Sequence, residues 1–364
     1  MIAQRRVVAL APLLVAAFGY AAWRSAAPAA TPTPTPAPAV DWSALPAAVI
    51  SVDPRRGELT IELPPVDLPA GGVGHAGAQP PTSVGEFPVG GAIFGFRTEA
   101  VDETGRLLPA EVIHHFNVMD PSDRELFLPI ARRLLASGQE TGVVRLPWLL
   151  VGVRFTQGER ILANAMLHNP GGVAYRGVRV RMVVSYTPER RPWPLFAGAP
   201  WQLDVGFPLG DKSFDLPPGR SERAYEGSPA VAGDLVVIGG HLHEYGQTIE
   251  LSDATTGELI WRGEPAPTAA GKAGAVPIGK LYGFTRRGAH ITPDHRYRVR
   301  VVYDNPTGHV VAAGGMGVVA GLFIPARGAV WPSADPNDSL YQQDLRHFLG
   351  VTPPPRRVRS HARH

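Results

Sequence analysis

The stretch Val178-Arg179-Val180-Arg181-Met182 alternates apolar and charged residues, a period of two that puts the apolar side chains on one face of an extended strand. Runs of the same kind recur along the chain: AVISV, ELTIEL, AIFGFRTE, EVIHHFNVM, VVRLPWLLVGVRF, RILANAMLH and GVRVRMVVSY in the first half. WQLDVGF, SERAYE, DLVVIGGHLHEYG, QTIELSD, GELIWRG, YRVRVVYDN and MGVVAGLFIP follow in the second. Turn residues punctuate them, with 41 Gly and 38 Pro in 364 residues. Short half-buried strands joined by turns predict an all-β fold of packed antiparallel sheets, a β-sandwich. The stretch Asp123–Ser137, rich in helix formers but interrupted by Pro129, reads as a short helix or an ordered loop.

The organisation follows from where this rhythm breaks. After Arg5-Arg6, residues 7–23 are uncharged and mostly apolar, and Arg24 and SAAPAA come next, so 1–30 reads as a signal peptide or a membrane anchor. TPTPTPAPA makes 31–40 an extended Thr/Pro-rich linker. The proline-dense TPERRPWPLFAGAPW marks a junction, dividing a first sandwich, 41–190, from a second, 191–328, with 329–364 as a C-terminal tail. The protein is thus expected to be exported, to the periplasm or cell exterior, cleaved free or tethered through residues 7–23. A net charge of +3 with scattered basic residues leaves no nucleic-acid footprint.

The chain has no Cys. Disulfides, thiolate metal sites and a Cys nucleophile are thereby excluded, so any metal must be held by His, Met or oxygen ligands. No G-x-S-x-G, P-loop or HExxH pattern occurs. What remains is histidine. In GGHLHEYG, His241 and His243 are two apart, so a strand directs both to one face, where zinc or copper suits equally. With 12 histidines in the chain, chance alone supplies about 0.4 pairs at any fixed spacing, so this pair needs support from elsewhere. Met316, in AAGGMGVVAGLF, would supply a soft thioether that favours copper; taken by itself it reads first as a core gap-filler. His114-His115 is a second pair, but adjacent residues on a flat strand point to opposite faces and can share an ion only at a strand end or bulge. His168, closing the strand RILANAMLH, is a natural third ligand there.

The order of these segments resembles the copper type II, ascorbate-dependent monooxygenases, the family of peptidylglycine α-hydroxylating monooxygenase and dopamine β-monooxygenase. AEVIHHFNVM and AMLHNPGG are similar to the family's tandem-histidine strand and third-histidine strand. RPWPLFAGAPWQLDVGFPLG followed by LPPGRSE resembles its interdomain passage. VVIGGHLHEYGQTIELSDATTGELIWRG and GGMGVVAGLF resemble the segments bearing the HxH pair and the methionine of the catalytic copper. The resemblance, over roughly residues 90–325, implies two jelly-roll-like sandwiches with one copper each: His241, His243 and Met316 where O₂ is activated, and His114, His115 and His168 where an electron is stored. It also implies ascorbate or another reductant and a small-molecule or peptide-like substrate. Where peptide-processing members carry an arginine before HxH, and an Asn and a Tyr after the methionine, this chain has Gly239, Val318 and Ala320. Peptide amidation is therefore not expected. The alternative is a non-catalytic secreted or membrane-tethered metal-binding β-sandwich.

Overall fold

The strand Tyr175–Pro188 shows how the alternating pattern is used. Val178, Val180, Met182 and Val184 are buried while Arg179 and Arg181 lie at the outer face, paired with Glu62 and Glu99 of neighbouring strands. Inward side chains supply the core and outward arginines solvate the sheet. The computed structural model describes residues 40–71, 78–138, 141–189, 192–207, 212–266, 275–282 and 287–350, and it is all-β apart from short helical segments. The N-terminal segment 1–30 and most of the linker lie outside the described residues, as do 351–364. No helix among the described residues is long and apolar enough to cross a membrane.

One long sheet runs through the molecule. Its strands follow the order Val49–Asp53, Glu58–Glu62, Tyr175–Pro188, Gly91–Val101, Val151–Phe155, Phe196–Asp204, Gly317–Pro325, Gly233–Leu242 and Ala275–Lys280. A four-stranded sheet, Ser83–Glu86, Arg160–Leu167, Ile113–Arg124 and Ala131–Gly138, covers one end. Between them sits a core of residues such as Ile61, Ile93, Val180, Phe116, Val118 and Ile161. A second four-stranded sheet, Gly219–Gly227, Tyr297–Asn305, Gly246–Asp253 and Leu259–Gly263, packs on the other end. There the core includes Trp201, Leu235, Ile238, Phe323, Ile249, Val299, Val301 and Tyr303. The result is two sandwiches whose backs are one continuous sheet.

The proline-dense segment joins the two halves in an unexpected way. The strand Tyr175–Pro188 reaches into it at one end, and Phe196–Asp204 begins within it. Phe196–Asp204 then pairs in parallel with Val151–Phe155 on one side and antiparallel with Gly317–Pro325 on the other. Backbone hydrogen bonds therefore carry the sheet across the expected boundary.

Two segments differ from expectation. Asp123–Ser137 is neither a helix nor one loop: it is the end of Ile113–Arg124, a connection, and Ala131–Gly138. Helix propensity loses because Leu126, Phe127, Leu128 and Ile130 are all buried in the second core, which a helix facing solvent on one side could not achieve. Glu125, fully buried, closes the connection by accepting backbone N–H groups of Leu126 and Arg133 at 3.0 and 3.1 Å, and of Gln202 at 3.1 Å. The segment assigned to a C-terminal tail contains the helix Ser339–Phe348, capped by the Asp338 carboxylate on Leu340 and Tyr341 N–H. Tyr341, Leu345 and Phe348 fall on one face at helical spacing and bury against Met119, Ala131 and Leu162.

Candidate metal-binding sites

The tandem histidines lie at the start of the strand Ile113–Arg124, beside a shift in its register. Met166 pairs with His115 and Leu167 with Ile113, so His114 has no residue opposite it and forms a β-bulge at the start of its strand. The bulge rotates His114 out of the alternation that would otherwise separate it from its neighbour. His168 follows the paired strand, and its N–H donates to Val112 O at 2.8 Å, which fixes it beside the bulge. The ring centroids of His114 and His115 are 5.3 Å apart, and those of His114 and His168 are 4.1 Å apart and nearly parallel at 16°. Burial first, then the charges of His114 and His168, hold the His115 imidazole down at about 4.

In the second half the ladder itself brings the residues together. His241 pairs with Val318 and Leu242 with Gly317, so the next residues along, His243 and Met316, face one another as the strands separate. The centroids of His241 and His243 are 5.3 Å apart. Both ends are tied to one buried hydroxyl: Tyr303 Oη accepts the His243 N–H at 3.1 Å and the Met316 N–H at 3.0 Å, and donates to Met316 O. Burial pushes the Tyr303 phenol up, so it stays neutral and able to donate. The glycines flanking Met316 have a steric reason: a Cβ at Gly315 would enter the Phe214 ring, and one at Gly317 would enter Val301 Cγ1. Among the described residues, two non-glycine residues have positive φ: Tyr245 at 69° and Ala313 at 50°, which lie two residues after His243 and three before Met316. Such outliers concentrate at functional sites.

The donor sets can be tested against ligand geometry. With a metal–nitrogen distance of about 2.0 Å, two imidazoles on one ion have centroids roughly 4.5 to 5.5 Å apart at angles near tetrahedral. The His114–His115 and His241–His243 separations fall in that range. The His114–His168 stack does not, since parallel rings direct their lone pairs side by side. Accordingly, no group of three or more His, Asp or Glu residues among the described residues has its donors gathered around one point. Binding of one ion by His114, His115 and His168 together would require ring rotation at His114 or His168.

Sequence reasoning named all six residues but not Tyr303. Its signal was present in Val299-Arg300-Val301-Val302-Tyr303, where the alternation points the tyrosine into the core, and a buried phenol must find polar partners. Of the positions that distinguish peptide-processing enzymes, Gly239 pairs with Ala320 and His241 with Val318, so the three lie together beside the HxH pair. None of them can carry a charge.

Two further histidines are paired with carboxylates. His295 Nδ1 lies 2.6 Å from Asp253 Oδ2, joining the turn after Gly246–Asp253 to the turn before Tyr297–Asn305, and the hydrogen bond raises the imidazole above its ordinary value. His290 Nδ1 is 2.9 Å from Asp234 Oδ1 on the adjacent strand.

No protein-family model and no curated protein sequence matches the chain. Among solved structures it is similar to PNGase F, a glycosylasparaginase from Flavobacterium meningosepticum, with 12% identity over 72% of this chain and 96% of that one at a TM-score of 0.34. It is also similar to the PBSX exported protein XepA, at 10% identity over 73% and 86% of the two chains and a TM-score of 0.18. The mavirus major capsid protein aligns with 11% identity over 89% of this chain and 93% of its own, at a TM-score of 0.18. At such scores these likenesses carry no argument about function.

Proposed function

We propose that the chain is an exported copper-dependent monooxygenase-like protein that hydroxylates a C–H bond with O₂. In this reading His241, His243 and Met316 would hold one copper and His114, His115 and His168 another. Copper in these positions would supply one-electron redox chemistry, two centres matching the two electrons that hydroxylation consumes, with ascorbate or another reductant restoring both. The supporting observation is that the backbone N–H groups of His243 and Met316 bond to the same Tyr303 hydroxyl, which brings the two residues into one neighbourhood; a thioether added to two imidazoles would be a donor set that favours copper over zinc.

The chain's own residues prepare the sites. Tyr303 fixes the two backbone segments from which a ligand projects, so little ordering remains when the metal binds. The bulge at His114 turns two consecutive residues towards His168. Gly239, Val318 and Ala320 place no cation at these three positions beside His241, so the substrate should be less anionic than a peptide carboxylate or bound differently. The same three residues favour the second reading, a secreted or membrane-tethered metal-binding sandwich without catalysis.

Metal analysis of the purified full-length chain after copper loading separates these outcomes. Two coppers per chain, falling to one in His241→Ala, together with ascorbate-dependent O₂ consumption, are expected for the oxygenase. Two coppers without O₂ consumption would leave the binding protein standing. A chain that takes up zinc in preference at the His241 site would overturn the oxygenase and leave the binding protein standing, and a chain that takes up no metal would overturn both.

A further inference from the structure

Pro147-Trp148-Leu149-Leu150 does something unusual for a strand-forming sequence: it leaves the sheet and exposes its apolar residues. Trp148, Leu149 and Leu150 form a turn immediately before the strand Val151–Phe155 and are 42, 53 and 51% exposed, and Leu195, which precedes the neighbouring strand, is 69% exposed. The turn is rigid. Leu150 N–H donates to Pro147 O at 2.8 Å and Val151 N–H to the same oxygen at 3.1 Å, while Leu195 and Phe196 N–H donate to Leu149 O and Leu150 O at 3.0 and 2.8 Å. Three consecutive large apolar residues are thus held outward by backbone hydrogen bonds rather than left there by a loose loop.

The charges in the two segments that carry this knuckle are of one sign. Within residues 141–155 and 192–196 the charged side chains are Arg145 and Arg154, both exposed, and there is no carboxylate. Arg154 lies over the Trp193 ring at 5.3 Å, and Arg287, from another connection, lies over the Phe196 ring at 5.7 Å. Each cation is therefore spread against an aromatic face next to the apolar tip.

We propose that this knuckle, Trp148, Leu149, Leu150 and Leu195 ringed by Arg145, Arg154 and Arg287, inserts into the interfacial layer of an anionic lipid membrane. Tryptophan and leucine partition to the boundary between headgroups and acyl chains, and arginines just behind them meet the phosphate groups. Four side chains expose too little surface for a stable protein interface, which buries roughly 800 Å² on each partner, and they form a projection rather than a groove. A bilayer needs neither large area nor shape complementarity. The sequence adds a second reason: the apolar stretch 7–23 and the Thr/Pro-rich spacer precede the fold, so a tethered chain would keep this knuckle within reach of a membrane. The inference is independent of any metal.

The absence of cysteine makes the test clean. A single cysteine introduced as Leu149→Cys in the full-length chain is labelled with the environment-sensitive fluorophore NBD, and Leu259→Cys, an exposed position on an edge strand of the second sandwich, serves as control. Both are mixed with vesicles of phosphatidylcholine and phosphatidylglycerol. The 149 probe is expected to brighten roughly two- to five-fold, shift to the blue and be quenched by lipids brominated on their acyl chains, while the 259 probe stays unchanged. Because a tether through residues 7–23 would bring both probes to the vesicle equally, a 149 probe that behaves like the 259 probe overturns the proposal. A 149 probe that brightens with protein concentration in the absence of vesicles also overturns it, by showing that a second copy covers the knuckle.

Discussion

Tyr303 is the residue on which the second candidate site turns. It is 1% exposed, yet its hydroxyl serves three backbone groups from the segments carrying His243 and Met316. Tyr303→Phe keeps the ring and removes those bonds, stranding buried backbone groups. The expected cost is about 2–3 kcal/mol of stability, read as a lowered denaturation midpoint with an unchanged slope. A variant within about 0.5 kcal/mol of the parent would show that Tyr303 organises nothing. His295 offers a separate test through pH. Its hydrogen bond to Asp253 raises the imidazole above 6.5, so the folded state holds the proton more tightly than the unfolded one. That contribution is complete below about pH 6.5 and fades as pH rises through the raised value. Burial works to raise the Asp253 carboxyl, but the bonds from His295 and from Thr256 and Thr255 N–H outweigh it and hold it below its ordinary 3.8, so its share fades only in stronger acid. The stability gap between the parent and His295→Gln should therefore be widest between about pH 4 and 6.5 and narrow above that. A gap that does not change with pH would assign His295 a purely steric role.

At the scale of elements, the helix Ser339–Phe348 is held by more than its apolar face. Arg133 pairs bidentately with Asp344, at 2.8 and 2.5 Å, and both side chains are nearly nine-tenths buried. Asn164 and Thr82 side chains donate to Phe348 O at the helix end. Asp344→Ala would leave a buried guanidinium bonded to Ala131 O and Met119 Sδ, with the more distant charges of Glu125 and Asp204 to offset it. We expect a loss of about 2–3 kcal/mol, below the full cost of breaking a completely buried pair. Limited proteolysis should then cut at the helix before the sheets; resistance equal to the parent would show the ion pair to be incidental. This helix was not legible in SLYQQDLRHF because its apolar positions are few. Only packing against Met119, Ala131 and Leu162 gives it stability. The strands were legible for the opposite reason, since in Val178–Met182 each side chain reports its own face. The bulge at His114 lay between these cases: the sequence made a strand end or bulge the condition for the two histidines to share an ion, and the register with Arg160–Leu167 shows one there.

At the scale of the molecule, the continuous sheet has an energetic consequence. Phe196–Asp204 shares backbone hydrogen bonds with both halves, so neither sandwich can unfold without exposing a strand edge of the other. Thermal unfolding of the metal-free protein should be one transition, with calorimetric and van't Hoff enthalpies equal. Two resolved transitions would mean that the junction strand couples the sandwiches weakly. The sequence alone determined the strand repertoire, the choice of histidine and methionine over thiolate, and the candidate ligands, because each of these is a property of residue type and of a period-two pattern that needs no partner. Tertiary structure decided what depends on pairing between distant segments: the facing of His243 and Met316, their tie to Tyr303, the gathering of His115 and His168 around the bulge at His114, and the passage of one sheet through the proline-dense junction. These contacts join residues tens to hundreds of positions apart, and nothing in the local sequence encodes which strand will lie alongside which.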